Sequence, residues 1–288
     1  MGVKIQRIKD IRFYMTKELT GIYKPPEIRV LADIIIKTVT GRTRLHQLYE
    51  DGYPVSTVEA SKIIDFTNQL KTGKPVQYVV GETIFYDCRI KLNSSTLIPR
   101  PETEELVELI IRENKDYNGN IIDFGTGSGC IVIALASNLP LADLTGIDIS
   151  RDAIRIAREN AEINNVKVFF MEEDILNFNK DAVGKAGIIV SNPPYVRNSE
   201  KALMAKNVLD FEPHLALFVE DSDPLIYYKA ILDLAEDIML PSGLIYFEIN
   251  EAMGTSLVHL MESYGYSELK IMSDINDKER IIKGRKNV

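Results

Sequence analysis

The run Ile121-Ile122-Asp123-Phe124-Gly125-Thr126-Gly127-Ser128-Gly129 constrains this chain more than any other stretch of it. The apolar, β-branched start reads as a buried strand, and three glycines in five positions read as a tight turn into a helix. A helix entered in this way leaves free backbone N–H groups at its start, next to whatever the glycines admit. The dinucleotide fingerprint is GxGxxG. Here the spacing is GxGxG and Cys130 stands where the third glycine belongs, so a pyrophosphate fits poorly.

Strand and helix patterns alternate around this run. Strands are expected at 120–124, 143–147, 166–171, 187–191, 243–249 and 267–272. Helices are expected through Leu106, Leu109 and Ile110, and over 152–163, 225–239 and 252–264. Such alternation predicts an α/β, Rossmann-like, doubly wound and mostly parallel sheet, with ligands outside the carboxyl ends of its strands. The uncharged stretch 124–142 has the length of a membrane span, but its glycines, Asn138 and Pro140 suit a loop and a short helix.

The first 75 residues read differently. Ile5, Ile8, Ile11, Met15 and Leu19 recur at helical steps, Pro25-Pro26 interrupts, and Ile28, Leu31, Ile34 and Ile35 give a second apolar face. Thr57 opens a third pattern through Ile63, Ile64 and Leu70. Thr83–Tyr86 and Cys88–Leu92 read as two short strands around Asp87. The expected organisation is a helical domain at 1–75, a β-hairpin linker at 76–98 and an α/β domain at 99–288.

Three motifs fall at carboxyl ends of the expected strands. Gly125 to Gly129, including Thr126, Gly127 and Ser128, would cradle a cofactor. Asp148 ends the next strand 19 residues beyond Gly129, placed to accept hydrogen bonds from ribose hydroxyls, while Ser150 caps the following helix. Asp174 and Ile175 follow the third strand; they read equally as an adenine contact and as part of a solvated acidic run. A cofactor with a carboxylate and a sulfonium, S-adenosylmethionine, suits this pattern.

Ser191-Asn192-Pro193-Pro194-Tyr195 closes the fourth strand. Two prolines fix the backbone and remove two N–H donors, leaving carbonyls without local competition. Asn192 brings an amide acceptor and Tyr195 an aromatic face. A planar amide or amino nitrogen is a poor nucleophile because its lone pair is delocalised. Two acceptors on its N–H bonds hold it, and they stabilise charge as it develops. The sequence therefore points to methyl transfer onto such a nitrogen, leaving S-adenosylhomocysteine.

With those motifs in hand, the chain resembles the HemK/PrmC family of N5-glutamine methyltransferases that act on peptide chain release factors. The resemblance rests on Gly73-Lys74-Pro75-Val76-Gln77-Tyr78, Gly81-Glu82 and Phe85. It continues in Leu97-Ile98-Pro99-Arg100-Pro101-Glu102-Thr103-Glu104, the glycine loop, Asp148 and Asn192 to Tyr195. Glu212-Pro213, Ala216-Leu217, Phe247-Glu248-Ile249 and Lys283-Gly284-Arg285 complete it. It implies a helical substrate-docking domain before a seven-stranded methyltransferase domain. The implied target is the glutamine of the Gly-Gly-Gln motif of class 1 release factors. It also implies that Asn192 and the Pro193 carbonyl hold the glutamine amide, that Pro194 and Tyr195 pack there, and that Arg100 lies in the active-site wall. The chain departs from the family at Phe218 to Leu225, where paired glycines and Asp-Gly-Leu are usual, and at Asn250 and Met253.

Composition narrows the alternatives. A net charge of −8 speaks against a broad nucleic-acid footprint, so direct nucleic-acid binding is not expected. A nucleic-acid adenine-N6 methyltransferase and a cofactor-binding regulatory module without catalysis are the rival readings. Cys88 and Cys130 are far apart, and His46, His214 and His259 are scattered, so no metal site is expected. Lys4, Arg7, Lys9 and Asp10 are followed by no apolar run of the kind a secretory leader carries, which leads to a cytoplasmic expectation.

Overall fold

The computed structural model describes residues 4–49 and 52–287. The chain divides into two units: one runs up to Gly81 and includes Lys206–Phe211, and the other holds Glu82–Ala205 and Glu212 onward.

The first unit is helical: α1 (Ile8–Leu19), α2 (Pro25–Thr40), α3 (Arg44–Tyr49), α4 (Thr57–Lys71) and α5 (Val76–Val80). Ile8, Ile11, Met15 and Leu19 of α1 are all buried, as their spacing requires. Pro25 starts α2 at its first position, where a missing N–H costs nothing. In α2 the core takes Ile36 where the sequence reading placed Ile34, and in α4 it takes Phe66 while Ile64 stays exposed. The helix α4 starts at Thr57 as expected, and its cap is Ser56. Its hydroxyl accepts from the Glu59 N–H, and the Glu59 carboxylate accepts from the Ser56 N–H at 2.7 Å.

The segment 76–98 is less uniform than the linker read from sequence. Val76–Val80 is the helix α5 of the first unit, and the hairpin is β1 (Glu82–Phe85) with β2 (Cys88–Lys91) in the second. Tyr86 and Asp87 both have positive φ, 45° and 63°, the geometry that two-residue hairpins favour.

The second unit continues with α6 (Pro101–Glu113), β3 (Asn120–Phe124), α7 (Cys130–Asn138), β4 (Asp143–Asp148), α8 (Arg151–Ile163), β5 (Phe169–Glu172) and β6 (Ala186–Ser191). A two-residue strand β7 (Val196–Arg197) follows. Then come α9 (Lys206–Phe211, grouped with the first unit), β8 (Phe218–Val219), α10 (Ile226–Ile238) and β9 (Met239–Glu248). The chain closes with α11 (Gly254–Ser263), β10 (Tyr266–Ser273) and β11 (Glu279–Lys286). The seven-stranded sheet has the order β10-β11-β9-β6-β3-β4-β5. Its β9-β6-β3-β4-β5 part is parallel, and β11 is antiparallel to both neighbours. This is the expected Rossmann-like sheet. The order turns at β3, whose neighbours β4 and β6 bring Asp148 and Asn192 to the same edge as the glycine loop.

The uncharged stretch resolves as expected into loop and short helix. Among the described residues no helix is long and apolar enough to cross a membrane. The departing run from Phe218 is also structured: β8 pairs with β7, just after Tyr195, and Asp221 accepts from the Ser199 hydroxyl at 2.7 Å.

Candidate active site

The glycine loop is held by backbone contacts. Gly125, Gly127 and Gly129 have φ of 73°, 54° and 79°, a region that side chains strain. The N–H groups of Gly125 and Thr126 donate to the Ile147 carbonyl at 2.8 and 2.9 Å. Asp148 joins the loop to the next helix: one carboxylate oxygen accepts from Gly127 N–H and the other from Ser150 N–H, each at 2.8 Å. Burial pushes the Asp148 carboxyl up, and these two N–H bonds pull it back. Ser150 caps α8, its hydroxyl accepting from the Ala153 N–H at 3.2 Å. A Cβ at Gly129 would stand 3.0 Å from Ile133 and 3.1 Å from Ala157, so this glycine also lets α7 and α8 approach.

Beneath the loop, Asp123 is fully buried and one of its oxygens accepts from the Thr126 hydroxyl at 2.6 Å. The other oxygen has no hydrogen-bond partner among the described residues. Burial, opposed by the Thr126 bond and helped by the Asp148 charge, pushes its carboxyl up to about 7. Asn160 of α8, also buried, donates to the Ser128 carbonyl at 2.9 Å and to the Lys91 carbonyl at 3.1 Å. It accepts from the Lys91 N–H at 2.8 Å, so one amide ties the hairpin to the glycine loop.

A cavity of about 350 Å³ opens above this loop. Of the residues singled out from sequence, Gly125, Gly127, Asp148, Asp174, Ile175, Asn192 and Pro194 line it. Ile149, Leu176, Leu215 and Tyr227 add apolar surface, and Ser95 to Leu97 with Pro213 and Ala216 complete the rim. Asp174 caps a short 3₁₀ turn: its oxygens accept from Leu176 N–H at 2.9 Å and from the Asn177 amide at 2.7 Å. A larger cleft of about 870 Å³, between Leu139 and Phe170, holds none of the motif residues.

The opposite wall is built by side chains. The Ser191 hydroxyl donates to the Phe124 carbonyl at 2.6 Å, fixing the end of β6 against β3. Asn192 follows, and its carbonyl oxygen lies 4.0 Å from where a Cβ on Gly125 would stand. Its side-chain amide donates to the Thr103 hydroxyl over a long 3.4 Å. Thr103 in turn donates to the carboxylate of Glu248 at 2.7 Å, and the Tyr195 hydroxyl donates to the other Glu248 oxygen at 3.1 Å. Glu248 is 1% exposed; burial pushes its carboxyl up while Thr103, Tyr195 and Arg280 pull it back.

Thr126, Ser128, Gly129 and Pro193 are buried around the cavity and do not line it. Tyr195 turns its hydroxyl to Glu248 and packs against the core behind the wall. Arg100 is also absent from the lining. Its guanidinium donates to buried Glu212 at 2.6 Å, and Glu212 accepts from the Ile98 N–H at 3.2 Å, which ties the 95–100 rim to the 212–217 rim. Thr103 does not cap α6, whose flanking residue is Arg100; it reaches Glu248 instead. Sequence reading gave no role to Glu248, Glu212 or Asn160, whose partners lie far away along the chain. Among the described residues no group of three or more His, Cys, Asp and Glu side chains could hold a metal ion.

Residues 103–212 match the family model described as the methyltransferase small domain. The hMettl16 catalytic domain, solved in complex with MAT2A 3′UTR hairpin 6, has a TM-score of 0.52 over 80% of this chain and 82% of that one. At 15% identity that likeness shows the fold alone. Fold and family model together define a methyltransferase. Two curated relatives carry the name release factor glutamine methyltransferase. The one from Flavobacterium psychrophilum is 42% identical over 280 residues, 96% of this chain and 98% of the relative. The one from Bacteroides thetaiotaomicron is 39% identical over 272 residues, 94% and 98%. The chain belongs to the release factor glutamine methyltransferase family.

Proposed function

We propose that this protein methylates the side-chain amide nitrogen of the glutamine in the Gly-Gly-Gln motif of class 1 peptide chain release factors, with S-adenosylmethionine as donor. Family membership supports the reaction class. The observation that carries the residue roles is the meeting of Asn192 with the glycine loop at one cavity.

The residues present fit the cofactor. Gly125 and Gly127 leave the floor of the cavity free of side chains, and Asp148 has lone pairs left for a ribose diol. The buried, unpartnered oxygen of Asp123 suits a cation or an N–H donor near the loop. Ile149, Ile175 and Leu176 offer apolar surface to a ring, and Asp174 stands beside them for an exocyclic amino group. When bound, S-adenosylmethionine supplies an electrophilic methyl group and becomes S-adenosylhomocysteine on losing it.

The chain's own part is to hold a weak nucleophile. The Asn192 side-chain carbonyl accepts one N–H bond of the glutamine amide; the family resemblance assigns the other to the Pro193 carbonyl, although Pro193 itself is buried behind the cavity lining. That pairing favours loss of planarity at nitrogen and stabilises the charge that develops there. Pro193 and Pro194 keep the wall rigid because neither has a soft φ or a competing N–H. No strong base is needed beforehand, since the amide proton becomes acidic only as nitrogen is alkylated. Arg100 serves the site by bracing its rim through Glu212.

The test uses labelled S-adenosylmethionine with an unmethylated release factor and with its Gly-Gly-Gln glutamine changed to alanine. Label on the first alone is expected. Equal labelling of both, or labelling of neither with cofactor bound, rejects the reading.

A further inference from the structure

We propose that Thr103 and Glu248 are positioning residues that decide which end of the Asn192 amide faces the cavity. The proposal rests on the reading of Asn192 as the acceptor for the substrate amide.

The two ends of an asparagine amide are nearly the same size, so packing alone does not choose between them. Hydrogen-bond polarity does. A carboxylate only accepts, and Glu248 receives the hydroxyls of Thr103 at 2.7 Å and Tyr195 at 3.1 Å, one on each oxygen. A threonine hydroxyl has one proton. Once it goes to Glu248, the Thr103 oxygen has only lone pairs to offer, and only the NH₂ end of Asn192 matches them. That is the contact seen, at 3.4 Å. The carbonyl end of Asn192 is thereby turned away from Thr103 and left for the substrate.

Reversing the chain shows what is at stake. A neutral amide at position 248 that turns its NH₂ end to Thr103 donates a hydrogen bond to the Thr103 oxygen. Thr103 then donates to Asn192, and the NH₂ end of Asn192 swings toward the cavity. An amide N–H of the substrate meets a donor there instead of an acceptor. Geometry sets position 248 as the acceptor: two hydroxyls point at it, one on each oxygen, and with the charge of Arg280 in β11 they oppose the burial that pushes its carboxyl up. The backbone is pinned as well, since the Tyr228 hydroxyl donates to the Glu248 carbonyl at 2.9 Å. The relay draws on α6, the end of β6, β9 and β11, and uses nothing from the glycine loop.

Three variants test this against the wild type: Thr103→Val, which keeps shape without the hydroxyl; Thr103→Ser, which keeps the hydroxyl; and Glu248→Gln, which offers a donor in the same volume. Methylation of the release factor gives kcat and KM, and calorimetry gives the S-adenosylmethionine Kd. Thr103→Val and Glu248→Gln are expected to lower kcat roughly 10- to 100-fold, the range for removing a partner that orients a working side chain. KM and cofactor Kd should stay within about twofold, and Thr103→Ser should restore most of kcat. In an Asn192→Ala background, Thr103→Val should cost nothing further, because the group it orients is gone. Wild-type kcat in Thr103→Val and Glu248→Gln, or an undiminished loss in the Asn192→Ala background, overturns the relay while the function stands. A wild-type enzyme that leaves the release factor unlabelled overturns the functional reading and the relay with it.

Discussion

The two walls of the cavity are held by different means. On the glycine-loop side, the contacts mostly use backbone N–H groups of the loop and of the neighbouring strand end: Gly125 and Thr126 to the Ile147 carbonyl, Gly127 and Ser150 to Asp148. On the Asn192 side, they run through side chains from distant elements. Thr103 and Glu248 are 145 positions apart, and Arg100 and Glu212 are 112 apart. A wall made of backbone presents a fixed shape, which suits a ligand that is the same at every turnover. A wall made of side chains presents directed donors and acceptors, which suits the reacting group. Substitutions on the two sides should therefore separate cofactor binding from turnover.

The sharpest separation is expected at Asn192. Asn192→Ala removes the proposed acceptor for charge developing in the transition state, and kcat should fall about 100- to 1000-fold. The cofactor Kd, measured by calorimetry, should change little, because the glycine loop keeps all its own contacts. A Kd that weakens in step with kcat would merge the two walls into one.

The next effect appears in stability. Asp123 lies under the loop with its carboxyl pushed up to about 7 from an ordinary 3.8. The folded protein thus holds this proton more tightly than the unfolded chain does. The contribution is fully present below about pH 4 and is lost as pH rises toward and through 7. Between pH 5 and pH 8 the loss is roughly 2–3 kcal/mol in the cofactor-free protein. Urea unfolding at both pH values should show a wild-type decline larger by about that amount than in Asp123→Asn, which has no proton to lose. Equal declines would mean that Asp123 titrates as it does in water.

Asp148→Ala tests the backbone wall more gently. It removes the group that gathers the Gly127 and Ser150 N–H bonds, together with the proposed ribose acceptor. The cofactor Kd should weaken about 10- to 30-fold, or roughly 1.4–2 kcal/mol, with kcat at saturating cofactor nearly kept. A fall in kcat alone would place Asp148 on the reacting side.

The same contrast explains what could be read from the sequence. The helix faces and the strands β3, β4, β6 and β9 carry periodic apolar residues, and the glycine loop and Asp148 advertise themselves through local spacing. The strand β11 escaped because its charged and glycine residues, Lys283-Gly284-Arg285, show no clean alternation. Gly284 is there because Leu269 and Met261 pack where its Cβ would stand, a constraint set across the sheet. Pro101 and the two glutamates beside Thr103 mark a helix start, and nothing local gives Thr103 a further role. Only the folded sheet shows that β9 delivers Glu248 beneath it. Local periodicity and spacing write the scaffold and the glycine loop into the chain; the side-chain wall exists only after distant segments meet.

Arg100 puts that distinction to its smallest test. The sequence reading set it in the substrate wall, whereas its guanidinium grips Glu212 behind the rim. Glu212 is 4% exposed and Arg100 about one-third exposed at its side chain, so the pair is partly screened on one side only. Arg100→Met keeps much of the stem and takes the cation from Glu212, which still accepts from the Ile98 N–H. Because solvent reaches the arginine, the expected loss is on the order of 1 kcal/mol of unfolding free energy, below the range for breaking a fully buried pair. Adding Glu212→Gln should return part of that loss, since a neutral amide tolerates the absent cation. KM for the release factor should rise no more than about threefold, as a loosened rim costs binding only indirectly. A tenfold or greater rise in KM with unchanged stability would mean that Arg100 reaches the substrate itself, and would return it to the wall where the sequence first set it.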